Sequence, residues 1–375
     1  MSNKNNDKPL NIADIEAVFE RVEKETSDNV SRRERRMDDI LHGDIPTFME
    51  MPLAIKPDQL IGADAAVVGF GFEGLTAKSP SVSAPPTSSR PKPGSVYWRM
   101  GADYAPDDIR KYSIFYSRHH NGGWFPEIDP EIRIHDQYKV LDYGNVSVVP
   151  EDNDETMRRG QEKVADIVAA GALPIVMGGD HTTPIPVLRA IAAKRNKPFG
   201  VISFDAHMDL FCTEECWASN QWFKGFETGK VYPKNLVIIG IRSNRSTFFE
   251  TKVADELNIR YYTIDEVKKR GIDEVTQEAL AIASDGTDGI YTSIDIDVMD
   301  PGSVPSQKAP EFWGMTTDEM MHSLQILSRS KLVGFDICEH SPDYDVNGMG
   351  AQWCARMIVE ILGGQALRKS KEVNK

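Results

Sequence analysis

From residue 65 onward, short runs of apolar residues alternate with longer stretches in which apolar positions recur at helical spacing. The runs at 65–70, 139–146, 173–177, 199–204, 236–241, 259–263, 289–296 and 332–337 read as strands. Between and after them, 105–115, 151–170, 184–195, 264–270, 273–284, 316–327 and 351–362 read as helices, with Pro106 opening the first and Gly171 closing the second. Strands apolar on both faces, alternating with amphipathic helices, predict a three-layer αβα architecture with a mostly parallel sheet of about eight strands. Residues 61–375 read as one large α/β domain, and no internal repeat is visible. Ahead of it, residues 1–60 read as an extension, first polar and disordered, then helical, because Ile15, Val18, Phe19 and Val22 share one helix face. Residues 79–94 are rich in Pro and Ser and exclude a regular element.

Three of the strand runs end in metal-ligating side chains. In VISFDAHMD, residues 201–209, the ligands Asp205, His207 and Asp209 alternate, so in an extended chain they face one point beyond the strand. LPIVMGGDH ends in Asp180 and His181, and GIYTSIDIDVMDP carries Asp295, Asp297 and Asp300. The candidate ligand set is His181, Asp205, His207, Asp209, Asp295 and Asp297. Four carboxylates with two imidazoles exceed what one structural zinc takes and are too oxygen-rich for a thiolate site, but they suit two divalent ions sharing carboxylates. Such a pair activates water near neutral pH. Helix capping accounts for acids at these positions but not for the histidines.

Composition narrows the partners. A formal net charge of −14 and a pI near 5.1 argue against nucleic acid or an anionic membrane and admit a cationic substrate. Cys212, Cys216, Cys338 and Cys354 form no disulfide framework, and Cys212 and Cys216 read as free thiols. The start MSNKNNDKPL has no apolar signal core and no run spans a bilayer, so a cytoplasmic location is expected.

Taken together, GGDH (178–181), DAHMD (205–209), SIDIDVMDP (293–301) and GFDICEHSP (334–342) resemble the signature motifs of the ureohydrolase family of arginases and agmatinases. The resemblance covers residues 64–364. It implies an arginase-like fold in which Asp205 and Asp295 bridge two ions, His181 and Asp209 complete one coordination sphere, and His207 and Asp297 the other. It further implies that Asp180 orients a ligand imidazole, that Glu339 holds a guanidinium, and that the reaction yields urea and an amine or ammonia. A homo-oligomer, trimer or hexamer, is implied as well, with a metal-insertion chaperone as a further candidate partner.

Two departures from the family pattern bear on substrate and proton transfer. The loop at 210–229 lacks the family's shuttle histidine; Asn220 stands near its place and cannot carry protons at neutral pH. The alternatives are His119, His120, His340 or the carboxylate of Asp209. The second departure is SQKAPEFWG, 306–314, where the family has a Thr-Gly-Thr-Pro turn and a glycine pair. Phe312 and Trp313, with Trp217 and Trp222, are candidates to fill the space of a substrate tail, and aromatic faces attract cations; ordinary packing between loops or subunits is the alternative, above all for Trp217 and Trp222. The expected substrate is therefore free guanidinium, bound by Glu339, Trp313, Phe312, Asn220 and Trp217. The most similar branch is the guanidine hydrolases of cyanobacteria, which implies nickel, with manganese as the alternative. Two other readings stand beside this one: a manganese ureohydrolase of agmatine or a guanidino acid, and a non-catalytic, metal-bearing guanidinium-binding protein.

Overall fold

A computed structural model describes residues 47–74, 99–119, 122–149 and 152–373. Most of the expected N-terminal extension, the Pro-rich stretch at 79–94 and His120 lie outside the described residues. The eight strands are β1 (Ala65–Phe70), β2 (Val140–Asn145), β3 (Leu173–Gly178), β4 (Gly200–Phe204), β5 (Leu236–Ile241), β6 (Arg260–Thr263), β7 (Ile290–Asp295) and β8 (Leu332–Cys338). They form one sheet in the order β2-β1-β3-β8-β7-β4-β5-β6, and every pair is parallel.

Alternation along each strand divides the core in two. Val67, Ile175, Ile202, Val237, Ile294 and Phe335 face one side, where they meet the helices Ile272–Ser284, Thr317–Leu327 and Met349–Val373. At alternate positions Val68, Val176, Val201, Ile238 and Tyr291 face the other, packed on Asn153–Ala169 and Pro184–Lys194. A sheet buried on both faces needs strands apolar throughout, which is why these runs stand out in the sequence. Phe48, ahead of β1, is also buried in the core, and its N–H donates to Asp142 of β2.

Three helices escape the apolar pattern, the first of them the four-residue Ile134–Gln137. Gln221–Phe226 is too short to show a period. Phe248–Leu257 starts from a capping box of Thr247 and Glu250, but its exposed Phe248 and Phe249 blur the apolar face. The last helix runs on to Val373 through Gly363 and Gly364, residues that weaken helices. They serve close packing here: a Cβ on Gly364 would meet Ser328 Oγ at 2.0 Å, and one on Gly363 would meet Ile128 Cδ1 at 2.5 Å.

From β3 the chain passes over two strand positions to β4, and β7 and β8 return later to fill them. Loops leaving the carboxyl ends of β3, β8, β7 and β4 therefore surround a crevice at the middle of the sheet, where parallel α/β folds build their sites. No helix among the described residues is long and apolar enough to cross a membrane.

Candidate metal centre

Each ligand-bearing segment starts where one of these central strands stops. After β4, Asp205 Oδ1 accepts the N–H of His207 at 2.6 Å; at the end of β7, Asp295 Oδ1 accepts the N–H of Asp297 at 2.9 Å. In both, the acid closes on the backbone two residues on, a local turn that brings the next ligand to the same side. Ala206 N–H donates to Asp297 Oδ1 at 3.1 Å and joins the two strand ends. Asp209 adopts a left-handed φ of 54°, which aspartate tolerates better than most residues. After β3, Gly178 and Gly179 allow a turn that no larger residue fits. A Cβ would meet Thr183 Oγ1 at 2.3 Å from the first and the Phe72 carbonyl oxygen at 2.0 Å from the second.

These turns gather the six expected side chains. His181 Nδ1 lies 3.1 Å from Asp205 Oδ2, 3.0 Å from Asp209 Oδ2 and 3.2 Å from Asp295 Oδ2. His207 Nδ1 lies 3.0 Å from Asp297 Oδ2 and 3.6 Å from Asp205 Oδ1. Asp205 thus belongs to both groups, one oxygen to each. The donor atoms of His181, Asp205 and Asp209 lie within 4.8 Å of one another, as do those of Asp205, His207 and Asp297. Asp295 faces the His181 group in the same way; Cys338, a neighbour not foreseen from sequence, stands beside both.

The donor set fits a pair of divalent ions. His181 Nδ1, Asp205 Oδ2 and Asp297 Oδ2 are buried, yet none is in an aligned hydrogen bond, and buried polar atoms without partners are costly. The His181 tautomer agrees: Ser293 donates its hydroxyl proton to Asp336 Oδ1 at 3.0 Å, so the 3.2 Å contact of Ser293 Oγ with His181 Nε2 places a proton on Nε2. The lone pair of Nδ1 then faces the carboxylates, as a metal ligand requires.

Electrostatics point the same way. Burial, then the charges of Asp209 and Asp297, push Asp205 up to about 7. Burial, then Asp297 and Asp205, raise Asp295 well above the carboxylate range. Burial lowers His181, but Cys338 and the carboxylates of Asp205, Asp209 and Asp295 override it and hold the ring well above its ordinary value. Without cations the cluster must retain protons to relieve like-charge repulsion.

The profile of the arginase family matches residues 63–363, and the motifs at the strand ends fall inside that match. The chain belongs to the arginase family. It is thus a hydrolase acting on guanidino compounds. Guanidinopropionase of Pseudomonas aeruginosa is 30% identical over 324 residues, 85% of this chain and 91% of that one. The solved structure of proclavaminate amidino hydrolase from Streptomyces clavuligerus superposes with a TM-score of 0.71 at 25% identity, covering 87% of this chain and 99% of that one. Formiminoglutamase of Trypanosoma cruzi, solved with Mn2+, shares the fold at a TM-score of 0.69 and 18% identity, over 87% of this chain and 100% of that one.

Within this arginase-family framework the remaining candidates take varied places. Glu339 is buried at the end of β8 with φ 67°, and its Oε1 accepts the N–H of His181 at 2.7 Å. Asp209 Oδ2 accepts from Gln221 Nε2 at 2.6 Å. Asn220 is buried, with its amide engaged inside its own loop: Oδ1 accepts from Trp217 N–H, and Nδ2 donates to Thr213 and Glu215. It organises that loop, which corrects its expected place in the substrate pocket. Trp217 packs on Phe211, with centroids 5.9 Å apart, and Trp222 is buried with its ring edge-on to His181 at 5.6 Å.

His119 is a further correction. Its charge acts on His135, which lines a cavity with Asp64 and Lys139, the residues just ahead of β1 and β2. That is the amino end of the parallel sheet, opposite the metal centre, so His119 does not serve as its shuttle. His340 is buried too, with Nδ1 against Ser306 Oγ at 2.9 Å and Nε2 against Asp108 Oδ2 at 3.0 Å. Asp180 does not orient an imidazole. Its Oδ1 accepts the Thr182 N–H, and Ser293 and Asp336 do the orienting instead.

Sequence reasoning also missed Glu311 and Arg242. Glu311 Oε1 lies 3.7 Å from His207 Nε2 and 2.9 Å from Arg245 Nε, the carboxylate–imidazole pairing that steadies a metal ligand. Arg242 donates to the carbonyls of Asp297, Glu311 and Phe312, clipping residues 311–312 onto the end of β7. An acid a hundred residues from the histidine it faces leaves no local signal.

Proposed function

We propose that the chain hydrolyses free guanidinium to urea and ammonia with two divalent ions held by His181, Asp205, His207, Asp209, Asp295 and Asp297. The reading rests on one observation above the rest: Phe312 and Trp313 directly follow Glu311, whose carboxylate stands beside His207, and Arg242 holds the carbonyls of residues 311 and 312. On this reading the two large rings, 79% and 57% exposed and adjacent in sequence to Glu311, limit the approach of a substrate with a long tail.

Ions bound there supply Lewis-acid activation of water. The protein contributes the rest. Glu339 presents a buried carboxylate to the planar cation, fixed by the His181 N–H. Guanidinium is resonance-stabilised, so one of its nitrogens must take up a proton before it can leave as ammonia. Asp209, held by Gln221 at the open side of the His181 group, is the carboxylate assigned to carry that proton. Guanidinium and water together give urea and ammonium, with no other reactant.

The metal is nickel by resemblance; among the structural neighbours described above, the one whose metal is named carries manganese. A guanidino acid is the second reading, favoured by the name of the Pseudomonas relative. The test is urea release from guanidine, agmatine, arginine and 3-guanidinopropionate by protein loaded separately with nickel and with manganese. Guanidine is expected to give the highest kcat/KM, and Trp313→Gly to improve the tailed substrates. Faster turnover of agmatine or 3-guanidinopropionate with either ion would overturn the proposal.

A further inference from the structure

Beside the metal centre lies a buried ammonium that plays no part in metal binding. Lys308, in the segment after β7, is 1% exposed. Its Nζ stands 3.1 Å from Glu73 Oε1, 3.8 Å from Asp180 Oδ2 and 4.0 Å from Glu339 Oε1. The three acids come from the ends of β1, β3 and β8, so four separate segments converge on this cluster. The backbone of Lys308 is fixed as well: its N–H donates to the Glu339 carbonyl at 3.0 Å, and its own carbonyl accepts from Arg99 N–H at 3.0 Å.

A structural ion pair of this depth ordinarily satisfies its donors and acceptors in good geometry. This one does not. Lys308 Nζ, Glu73 Oε1 and Asp180 Oδ2 are all buried and none is in an aligned hydrogen bond. Charge holds the cluster together, with three acidic side chains facing one ammonium. Remove the ammonium, and Glu73, Asp180 and Glu339 would form a ready site for a foreign cation next to the carboxylate that receives the guanidinium.

We propose that Lys308 is a specificity-determining residue: its ammonium occupies the acidic pocket that the second cation of an aminoalkyl guanidine would otherwise fill, so that dicationic substrates are rejected. The inference rests on the reading of Glu339 under Proposed function and extends it from tail length to tail charge. Length and charge are separable with two probes of similar size, agmatine with its ammonium tail and butylguanidine with a neutral one. Specificity of this kind comes from the repulsive element as much as from the attractive one.

The full-length, metal-loaded protein is compared with Lys308→Met, which keeps the volume, and Lys308→Gly, which vacates it. Urea release and ligand-induced shifts in Tm are recorded for guanidine, butylguanidine and agmatine. In both variants the preference for agmatine over butylguanidine is expected to rise by about tenfold or more, in kcat/KM and in binding. Added butylammonium is expected to suppress agmatine binding in Lys308→Gly and not in the wild type. A purely structural role would lower all three substrates in proportion and leave the ratio alone. An unchanged ratio in both variants overturns the proposal, and so does failure of both to fold, since Lys308 would then be a structural ion pair. Wild-type preference for agmatine over guanidine would instead overturn the guanidine reading itself.

Discussion

Asp205 divides its two oxygens between two histidines, and that division joins two three-residue donor groups, each suited to one divalent ion. Its neighbours are held just as specifically. His181 is oriented through Ser293 to Asp336, which also receives the hydroxyl of Tyr291, and His207 is backed by Glu311. Outer partners of this kind govern metal affinity. Glu311→Gln is expected to weaken one of the two ions by about 10–100-fold while sparing the other, read as a split between the two sites in calorimetric metal titration. Equal affinities before and after would show the 3.7 Å pairing with His207 to be incidental.

Elements decide how rigid this arrangement is. The Asp205 and Asp295 turns are local and cheap, whereas the outer strand β2 depends on one buried ion pair. Arg110 Nε donates to Asp142 Oδ2 at 2.8 Å and Nη2 donates to Oδ1 at 3.0 Å, with Asp142 fully buried. Asp142 also accepts the Phe48 N–H, so the pair ties the helix Ala105–Ser113, β2 and the segment ahead of β1 together. Arg110→Ala would strand a buried carboxylate and is expected to cost about 3–5 kcal/mol in urea unfolding. A loss below about 1 kcal/mol, the range of an exposed pair, would mean that water reaches Asp142.

At the scale of the whole molecule the acidic crevice sets the pH dependence. Burial and neighbouring charge raise Asp205 to about 7, and burial, opposed by Lys308, leaves Glu339 raised to about 8. Both groups bind more protons folded than unfolded, so they favour the folded state in acid and lose that contribution as pH climbs through their folded values. The raised His181 and His207 act with the same sign. Chelator-treated protein is thus expected to lose Tm steadily between about pH 4 and about pH 8, and bound divalent ions to flatten that slope. A rising Tm in chelator over that window would mean that the cluster is not the dominant titrating unit. As for what could be read in advance, strand positions, layer order and the six side chains that converge on the crevice were legible, because an apolar run and the polar residues at its end are written in adjacent positions. His119 and Asn220 were misplaced, and Glu311, Gln221 and Lys308 passed unseen as site residues, because nothing near them in the chain marks the partner. The order β3-β8-β7-β4 alone sets Lys308 beside Glu73 and Glu311 beside His207. Local sequence determined the elements and the chemistry each one carries to its end; the tertiary structure decided which ends meet, because side-chain contact between distant segments depends on strand order and not on spacing along the chain.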